Sequence, residues 1–208
     1  MTDGAAAATP YGPMGRSGQD NAPRSGSRLT VTPPPAVRGT PDDPGEQPAE
    51  IEAKRFRTIL GHFATGVVAI TAIDDRTGRP AGLVANSFTS VSLDPALVSF
   101  CVAHTSTTWP RLRRAGRFCV NILAAPQLEV CRRLAAKGGD KFAGLEWTEA
   151  PGGGPVIDGA LAWLECSVEA EHTAGDHVIV VARVHHLDRH HDGDPLVFYR
   201  GSYGSFAD

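Results

Sequence analysis

The feature that most constrains the fold is a series of short β-prone segments separated by tight turns. Strand-like segments occupy residues 67–73, 80–88, 97–102, 118–123, 160–171, 177–187 and 195–199. Turn residues cluster at 74–78 and 173–176, and a regular alternation of strands with crossover helices is missing. This pattern favours a mainly β, antiparallel barrel with a few helices over a doubly wound α/β sheet.

Helical patterns are few and short. Apolar residues recur at i, i+3, i+4 and i+7 at Phe56, Ile59, Leu60 and Phe63. That spacing predicts one face of an amphipathic helix near the start of the folded part. Residues 109–115 predict a second helix and residues 127–137 a third. The helices are therefore expected to decorate the barrel.

The first 48 residues differ from the rest of the chain. They hold nine of the 16 prolines, with many Gly, Ser and Ala and almost no aliphatic periodicity. Such a segment buries too little apolar surface to offset the entropy lost on ordering. We predict a disordered tail over residues 1–48 and one folded domain over residues 49–208.

Charge and hydropathy exclude several classes of protein. The net charge of -3 argues against a nucleic-acid partner, and we interpret the short cluster Arg111, Arg113 and Arg114 as a solvated helix face. No apolar run is long enough to span a bilayer, and the N-terminus lacks a signal-peptide pattern. We therefore expect no membrane partner and a cytoplasmic protein.

Cysteines and histidines give no metal pattern. Cys101, Cys119, Cys131 and Cys166 lie in apolar segments without zinc-type spacing, which predicts free, buried thiols in a reducing compartment. Four histidines lie where a predicted strand runs into a polar loop, and we interpret them as surface residues: His185, His186, His190 and His191. No metal site is predicted.

Candidate chemistry lies in five polar stretches. The chain has no G-x-S-x-G, H-E-x-x-H, P-loop or G-x-G-x-x-G motif. Polar residues cluster instead at 85–92, 104–108, 140–142, 175–177 and 199–204. Hydroxyls and free backbone N–H groups suit phosphate and a polar ring edge, Arg suits phosphate and Tyr suits stacking. Taken singly, the same stretches are equally compatible with an edge strand, a helix cap or a surface rim.

Taken together, these stretches resemble the short-chain flavin reductases, the reductase components of two-component flavin-dependent monooxygenases. The shared elements, in family order, are F-x-T-G-V at 63–67, N-S-F-T-S-V-S-L-x-P at 86–95, D-K-F at 140–142, G-D-H at 175–177 and F-Y-R-G at 198–201. The resemblance covers roughly residues 52–206.

The resemblance implies a split β-barrel of FMN-binding type, antiparallel and Greek-key-like, that forms a homodimer with the flavin near the interface. It also implies an NAD(P)H-dependent reductase, in which NADH or NADPH passes a hydride to FMN or FAD. A separate monooxygenase is the implied recipient of the reduced flavin.

The resemblance also assigns site residues. Flavin-binding positions are Asn86, Ser87, Phe88, Thr89, Cys101, Ser106, Thr107, Lys141, Phe142, Tyr199, Arg200 and Tyr203. His177 is expected to position the nicotinamide rather than to serve as an obligatory proton donor. Three alternatives remain open: a pyridoxamine-phosphate oxidase-like enzyme on the same barrel, a non-enzymatic flavin-binding module, and a structural protein without a ligand.

Overall fold

The computed structural model describes residues 51–205 of the chain. The predicted tail, residues 1–48, lies outside the described residues. The helices are α1 (Ala53–Leu60), α2 (Trp109–Arg114) and α3 (Leu128–Ala135). The first strands are β1 (Thr65–Gly66), β2 (Val68–Asp74), β3 (Arg79–Ala85), β4 (Thr89–Leu93), β5 (Ala96–Ala103) and β6 (Phe118–Ile122). The later strands are β7 (Trp147–Glu149), β8 (Pro155–Ile157), β9 (Ala162–Ala174), β10 (His177–Arg189), β11 (Val197–Tyr199) and β12 (Ser202–Gly204).

Seven strands form one antiparallel sheet in the order β3-β2-β6-β9-β10-β5-β4. The predicted mainly β, antiparallel architecture with a few helices is confirmed. Small sheets of β1, β11 and β12 and of β7 and β8 accompany it. Sequence reasoning missed the β7–β8 hairpin and left β4 open between an edge strand and a binding loop, because a hydroxyl-rich strand and a three-residue strand carry weak apolar periodicity.

The connection between β3 and β4 shows that the large sheet is curved. These strands are its two outer members, yet only residues 86–88 join them. Four peptide steps span at most about 14 Å, whereas the outer strands of a flat seven-stranded sheet lie roughly 29 Å apart. The sheet must therefore curl until its two edges approach each other, which is the geometry of a split barrel.

The barrel interior is filled by side chains from alternating strand positions. Val98, Phe100 and Val102 of β5 point inward, and the residues between them do not. The rings of Phe100, Trp109 and Phe118 meet edge to face, with centroids 5.3–5.9 Å apart. The β5 register is thus set by one buried face, and it orients Cys101 and Ala103 toward the opposite face.

A buried carboxylate fixes the loop that precedes β8. Glu165 is fully buried, and both of its oxygens accept the N–H of Gly152 at 2.9 Å. A Cβ at Gly154 would lie 2.7 Å from the Cys119 sulfur. Only glycine allows this close approach of the loop to the barrel wall.

Several sequence predictions can be checked on the described residues. All four cysteines are free; Cys119, Cys131 and Cys166 are buried as predicted, whereas Cys101 is half-buried. His185 and His186 in β10 and His190 and His191 after it are exposed, as predicted. Between residues 51 and 205, no helix combines the length and the apolar character that a membrane crossing requires.

Candidate functional site

A cleft of about 820 Å³ lies between β3, the loop after β5 and the loop after α3. This size is typical of sites for small molecules and cofactors. The cleft is lined by Thr77 and residues 79–84 on one wall and by Ala103 and residues 105–108 on the next. Arg111 and residues 134–141 complete it. Its walls therefore come from two of the predicted polar stretches, 104–108 and 140–142.

Cations dominate the charge of the cleft. Its charged lining residues are Arg79, Arg111, Lys137, Asp140 and Lys141. Asp140 forms an ion pair with Arg79, so the carboxylate is already partnered. Threonine and serine hydroxyls at 105–108 lie in the same cleft. Such a set of cations and hydroxyl donors suits a phosphate group.

Arg111 is held in the cleft wall by a carboxylate from another element. Its Nε donates to Oδ2 of Asp74 at 2.7 Å, and the Asp74 side chain is almost fully buried. This hydrogen bond, aided by the backbone N–H of Arg76, lowers the pKa of Asp74. Because Nε is occupied, the two terminal nitrogens of the guanidinium remain to bind a ligand.

The interpretation of the arginine cluster as a solvated helix face was wrong for Arg111. Arg113 and Arg114 do form ion pairs on the surface, with Glu171 and Asp75. Only Arg111 lines the cleft. Asp74, the partner of Arg111, lies 37 positions earlier in the chain. Because no neighbouring residue indicates this pairing, the sequence alone could not distinguish Arg111 from Arg113 and Arg114.

Lys141 approaches the cleft from the loop after α3. Its ammonium donates to the carbonyls of Leu134 at 2.7 Å and Gly82 at 3.4 Å. Burial, and then the nearby Arg111, lower the pKa of this ammonium. The side chain is therefore fixed beside Arg111, and an anionic ligand would relieve the repulsion between the two cations.

The loop after β5 presents its hydroxyls at the cleft. The Ser106 hydroxyl accepts the N–H of Trp109 at 3.1 Å, which shapes the turn into α2. Thr107 lines the same cleft beside it. The structure thus brings three of the predicted site residues together: Ser106, Thr107 and Lys141. Thr105, Thr108, Arg79 and Lys137 are lining residues that the site prediction omitted.

His177 lies at the edge of this region. It pairs across the sheet with Ala103, which lines the cleft. Its Nδ1 donates to Oδ1 of Asp176 at 2.7 Å, and this contact lowers the pKa of Asp176. The carbonyl of Asp176 accepts the N–H of His104. The G-D-H turn is thereby attached to the start of the cleft loop, and the His177 side chain remains 43 % exposed.

A second, small cavity adjoins the cleft. Val67, Val84, Ala85, Asn86, Phe198 and Tyr203 line this apolar pocket of about 140 Å³, and Val84 also lines the cleft. The Phe198 and Tyr203 rings lie 5.1 Å apart. The adjacent Cys131 thiol and burial raise the pKa of Tyr203 to about 12. The pocket offers apolar surface for a ring next to the polar cleft.

The other predicted residues occupy different positions. Residues 86–88, which join the two edges of the sheet, are here called the barrel seam. In this segment the Ser87 hydroxyl accepts the Cys101 N–H at 2.9 Å, which extends the β4–β5 pairing by one contact. Thr89 begins the edge strand β4, so the edge-strand reading of this stretch is correct from Thr89 onward. Phe88 and Phe142 pack against the hydrophobic cores. Their predicted flavin contacts stay predictions.

The C-terminal pair Tyr199 and Arg200 lies away from the cleft. The Tyr199 ring meets His62 edge to face at 6.5 Å. Arg200 lines a third cavity beside α1. Six of the thirteen predicted site residues therefore line one of three cavities, two of which share a residue, and the other seven line none of the three.

An antiparallel barrel with a cationic, hydroxyl-lined cleft and an adjoining small pocket is an arrangement that suits a phosphorylated, ring-containing ligand. The protein-family model described as "Flavin reductase like domain" matches residues 60–207 of the sequence. The chain belongs to this flavin reductase family, and the family resemblance seen in the sequence is confirmed.

Individual relatives agree with this assignment. The chain is 46% identical over 157 residues to a flavin reductase of Pseudomonas putida, covering 76% of this chain and 92% of the relative. It is 48% identical over 153 residues to the flavin-dependent monooxygenase reductase subunit HsaB of Rhodococcus jostii, covering 74% and 77%. Among solved structures it is similar to the Streptomyces globisporus NADH:FAD oxidoreductase SgcE6 in complex with NAD and FAD fragments, with a TM-score of 0.69, 35% identity and coverage of 74% and 92%.

Proposed function

We propose that this chain is an NAD(P)H:flavin oxidoreductase that reduces FMN or FAD. The cleft carries this proposal, because it combines the donors a flavin phosphate requires with an adjoining apolar pocket in a member of the flavin reductase family. The prediction of a flavin reductase that uses FMN or FAD and a reduced nicotinamide is confirmed at the level of class by the relatives' activities.

The residues of the cleft would hold the flavin by its phosphate. Thr107, Arg111 and Lys141 would bind the phosphate-bearing tail, and residues 86–89 at the barrel seam would contact the ring. When both ligands are bound, the flavin ring accepts a hydride from the reduced nicotinamide. The protein contributes orientation: it keeps the two rings within reaction distance and excludes water between them.

His177 would position the nicotinamide. Its Nδ1 is committed to Asp176, so Nε2 is the nitrogen left to contact the nicotinamide amide. This arrangement fixes the ring orientation without requiring a proton transfer from the histidine.

Comparison of three flavins tests the proposal directly. NADH and NADPH oxidation is measured with FMN, FAD and riboflavin as acceptors. Flavin-dependent turnover is expected, with a higher KM for riboflavin, which lacks the phosphate that the cleft binds. Flavin binding without turnover would instead favour a flavin-binding module, and oxidation of pyridoxamine phosphate without nicotinamide would favour the oxidase alternative.

We also propose that the protein is a homodimer. The apolar face of α1 is exposed: Phe56, Ile59 and Leu60, together with Phe63 just beyond the end of the helix, are each more than half accessible. A contiguous apolar patch of this kind usually marks an interface between proteins. Light scattering should give twice the monomer mass, and Ile59→Glu should shift it to the monomer. A monomeric wild-type protein would refute the dimer.

The reduced flavin is proposed to leave the reductase for a separate monooxygenase. The name of the Rhodococcus jostii relative, a reductase subunit of such an enzyme, supports this proposal. Anaerobic reduction followed by ultrafiltration should recover reduced flavin in the filtrate. Retention of all flavin on the protein would contradict release.

The free thiols support a reducing, cytoplasmic location, which cell fractionation would test.

A further inference from the structure

A third cavity, here called the cationic pocket, lies between α1 and the β11–β12 turn. It measures about 390 Å³ and is lined by Lys54, Arg57, Thr58, Gly61, His62, Arg200 and Gly201. Lys54 and Arg57 are three residues apart and share one face of the helix. No carboxylate belongs to the lining.

The orientation of α1 is what creates this pocket. Positions 54, 57, 58 and 61 recur at the spacing of one helix face, and they line the pocket. The apolar face, with Phe56 and Ile59, is exposed instead of covering the barrel. The helix therefore turns its cationic face toward the C-terminal hairpin, where a surface helix ordinarily places apolar residues, and none of its residues is buried.

None of the three cations has a side-chain partner within residues 51–205. The side chains of Lys54, Arg57 and Arg200 take part in none of the ion pairs and side-chain hydrogen bonds formed there; only the Lys54 backbone carbonyl accepts one, from the Thr58 hydroxyl. Three cations around one cavity repel one another unless an anion binds between them. A phosphate group, with several acceptor oxygens, is the ligand chemistry this arrangement fits.

The backbone at Arg200 is strained in a way that maintains the pocket. Arg200 has φ +49, the one positive φ at a non-glycine residue in the described part of the chain. Left-handed conformations are unfavourable for a residue with a side chain and are retained where the surrounding structure enforces them, often at functional sites. The Arg200 N–H donates to the Gly61 carbonyl at 2.9 Å, which attaches the turn to the end of α1.

We propose that the cationic pocket binds a phosphate group of the nicotinamide dinucleotide. This rests on the proposed reductase function, which brings two phosphorylated ligands to the protein, while the cleft accounts for the flavin. The hairpin that carries Arg200 also carries Phe198 and Tyr203, which line the apolar pocket beside the cleft. The nicotinamide would thus react near the seam while a phosphate is held at α1.

The double variant Lys54→Met/Arg57→Met tests the pocket, with Arg55→Met on the same helix as the control outside the lining. Methionine keeps helix propensity, and thermal unfolding verifies the fold. At saturating flavin, the double variant should raise the KM for the nicotinamide dinucleotide roughly tenfold or more. Arg55→Met should leave that KM unchanged. Arg200→Asn, which tolerates a positive φ, should also raise it.

The choice of nucleotide identifies the phosphate. An equal rise for NADH and NADPH supports a contact with the pyrophosphate, and a rise for NADPH alone supports a contact with the 2′-phosphate. An unchanged KM for both nucleotides in the folded double variant overturns the proposal.

Calorimetric titration with inorganic pyrophosphate separates this inference from the reductase activity, because it needs no turnover. The protein is first saturated with FMN, so that the cleft, which also suits a phosphate group, is occupied. Binding by the wild type that is lost in the double variant supports the anion site even if flavin reduction were not observed. Binding of pyrophosphate with an unchanged nicotinamide KM would show that the pocket serves another phosphate and would overturn the nicotinamide assignment. No binding by the wild type would overturn the site itself.

Discussion

Replacement of Arg111 by methionine separates the role of the cleft from that of the helix that carries it. Arg111 lines the cleft, whereas Arg113, two residues later, pairs with Glu171 on the surface. A hydrogen bond to a charged group contributes about 1.5–3 kcal/mol, which corresponds to roughly a 10- to 150-fold change in Kd. Because the Arg111 side chain is 42% exposed, solvent screening favours the lower end of that range, about tenfold.

The assay is quenching of flavin fluorescence on titration with protein. Arg111→Met should raise the Kd for FMN about tenfold and change the Kd for riboflavin little, since riboflavin has no phosphate. Arg113→Met should bind both flavins as the wild type does. Arg111→Met leaves the buried Asp74 carboxylate without its partner, which could destabilise the fold. The double variant Asp74→Asn/Arg111→Met removes that charge, so a loss of affinity that persists in it reflects binding and not unfolding.

Two results would refute the reasoning. One is an unchanged FMN affinity in folded Arg111→Met, which would mean that the cleft cations do not bind the phosphate. The other is an equal loss of FMN and riboflavin affinity, which would mean that the substitution disturbs the ring site or the barrel.

Three further predictions concern His177, Asp74 and Gly154. His177→Ala should raise the KM for the nicotinamide more than the Kd for flavin in steady-state assays, and an unchanged KM would remove its positioning role. Arg111 lowers the pKa of Asp74 below its ordinary value near 3.8, so the carboxylate stabilises the fold above that pH and this contribution is lost as pH falls through the lowered pKa. Urea unfolding should therefore show a stability deficit of Asp74→Asn that shrinks on acidification, and a constant deficit would contradict this. Gly154→Ala places a Cβ 2.7 Å from a cysteine sulfur and should cost about 1–3 kcal/mol of unfolding free energy, whereas Gly66→Ala, with open space around it, should cost little.

Sequence patterns were sufficient for the elements and for the order of the motifs. The long strands β9 and β10 and their G-D-H turn follow from apolar, β-prone runs on both sides of a glycine turn. The helix at α1 follows from apolar residues at helical spacing. These features depend on neighbours a few positions away, so a single sequence contains the information needed to predict them.

The direction and partners of side chains were not predictable in the same way. Helical spacing identified the apolar face of α1, but only the fold shows that this face is exposed and that the cationic face lines a pocket. The D-K-F stretch was assigned to the flavin site as a unit. In the structure Lys141 lines the cleft, and Phe142, the next residue, is buried in the hydrophobic core.

The sequence by itself therefore determined the strand and helix types, the turns, the family and the loops from which the site is built. The tertiary structure decided which residues of those loops face a ligand. It closed the barrel so that residues 86–88 bridge the sheet edges, and it paired Arg111 with Asp74 from a distant strand end. The physical reason is that backbone preference and periodicity are local, whereas burial, charge pairing and cavity walls arise from residues that only long-range packing brings together.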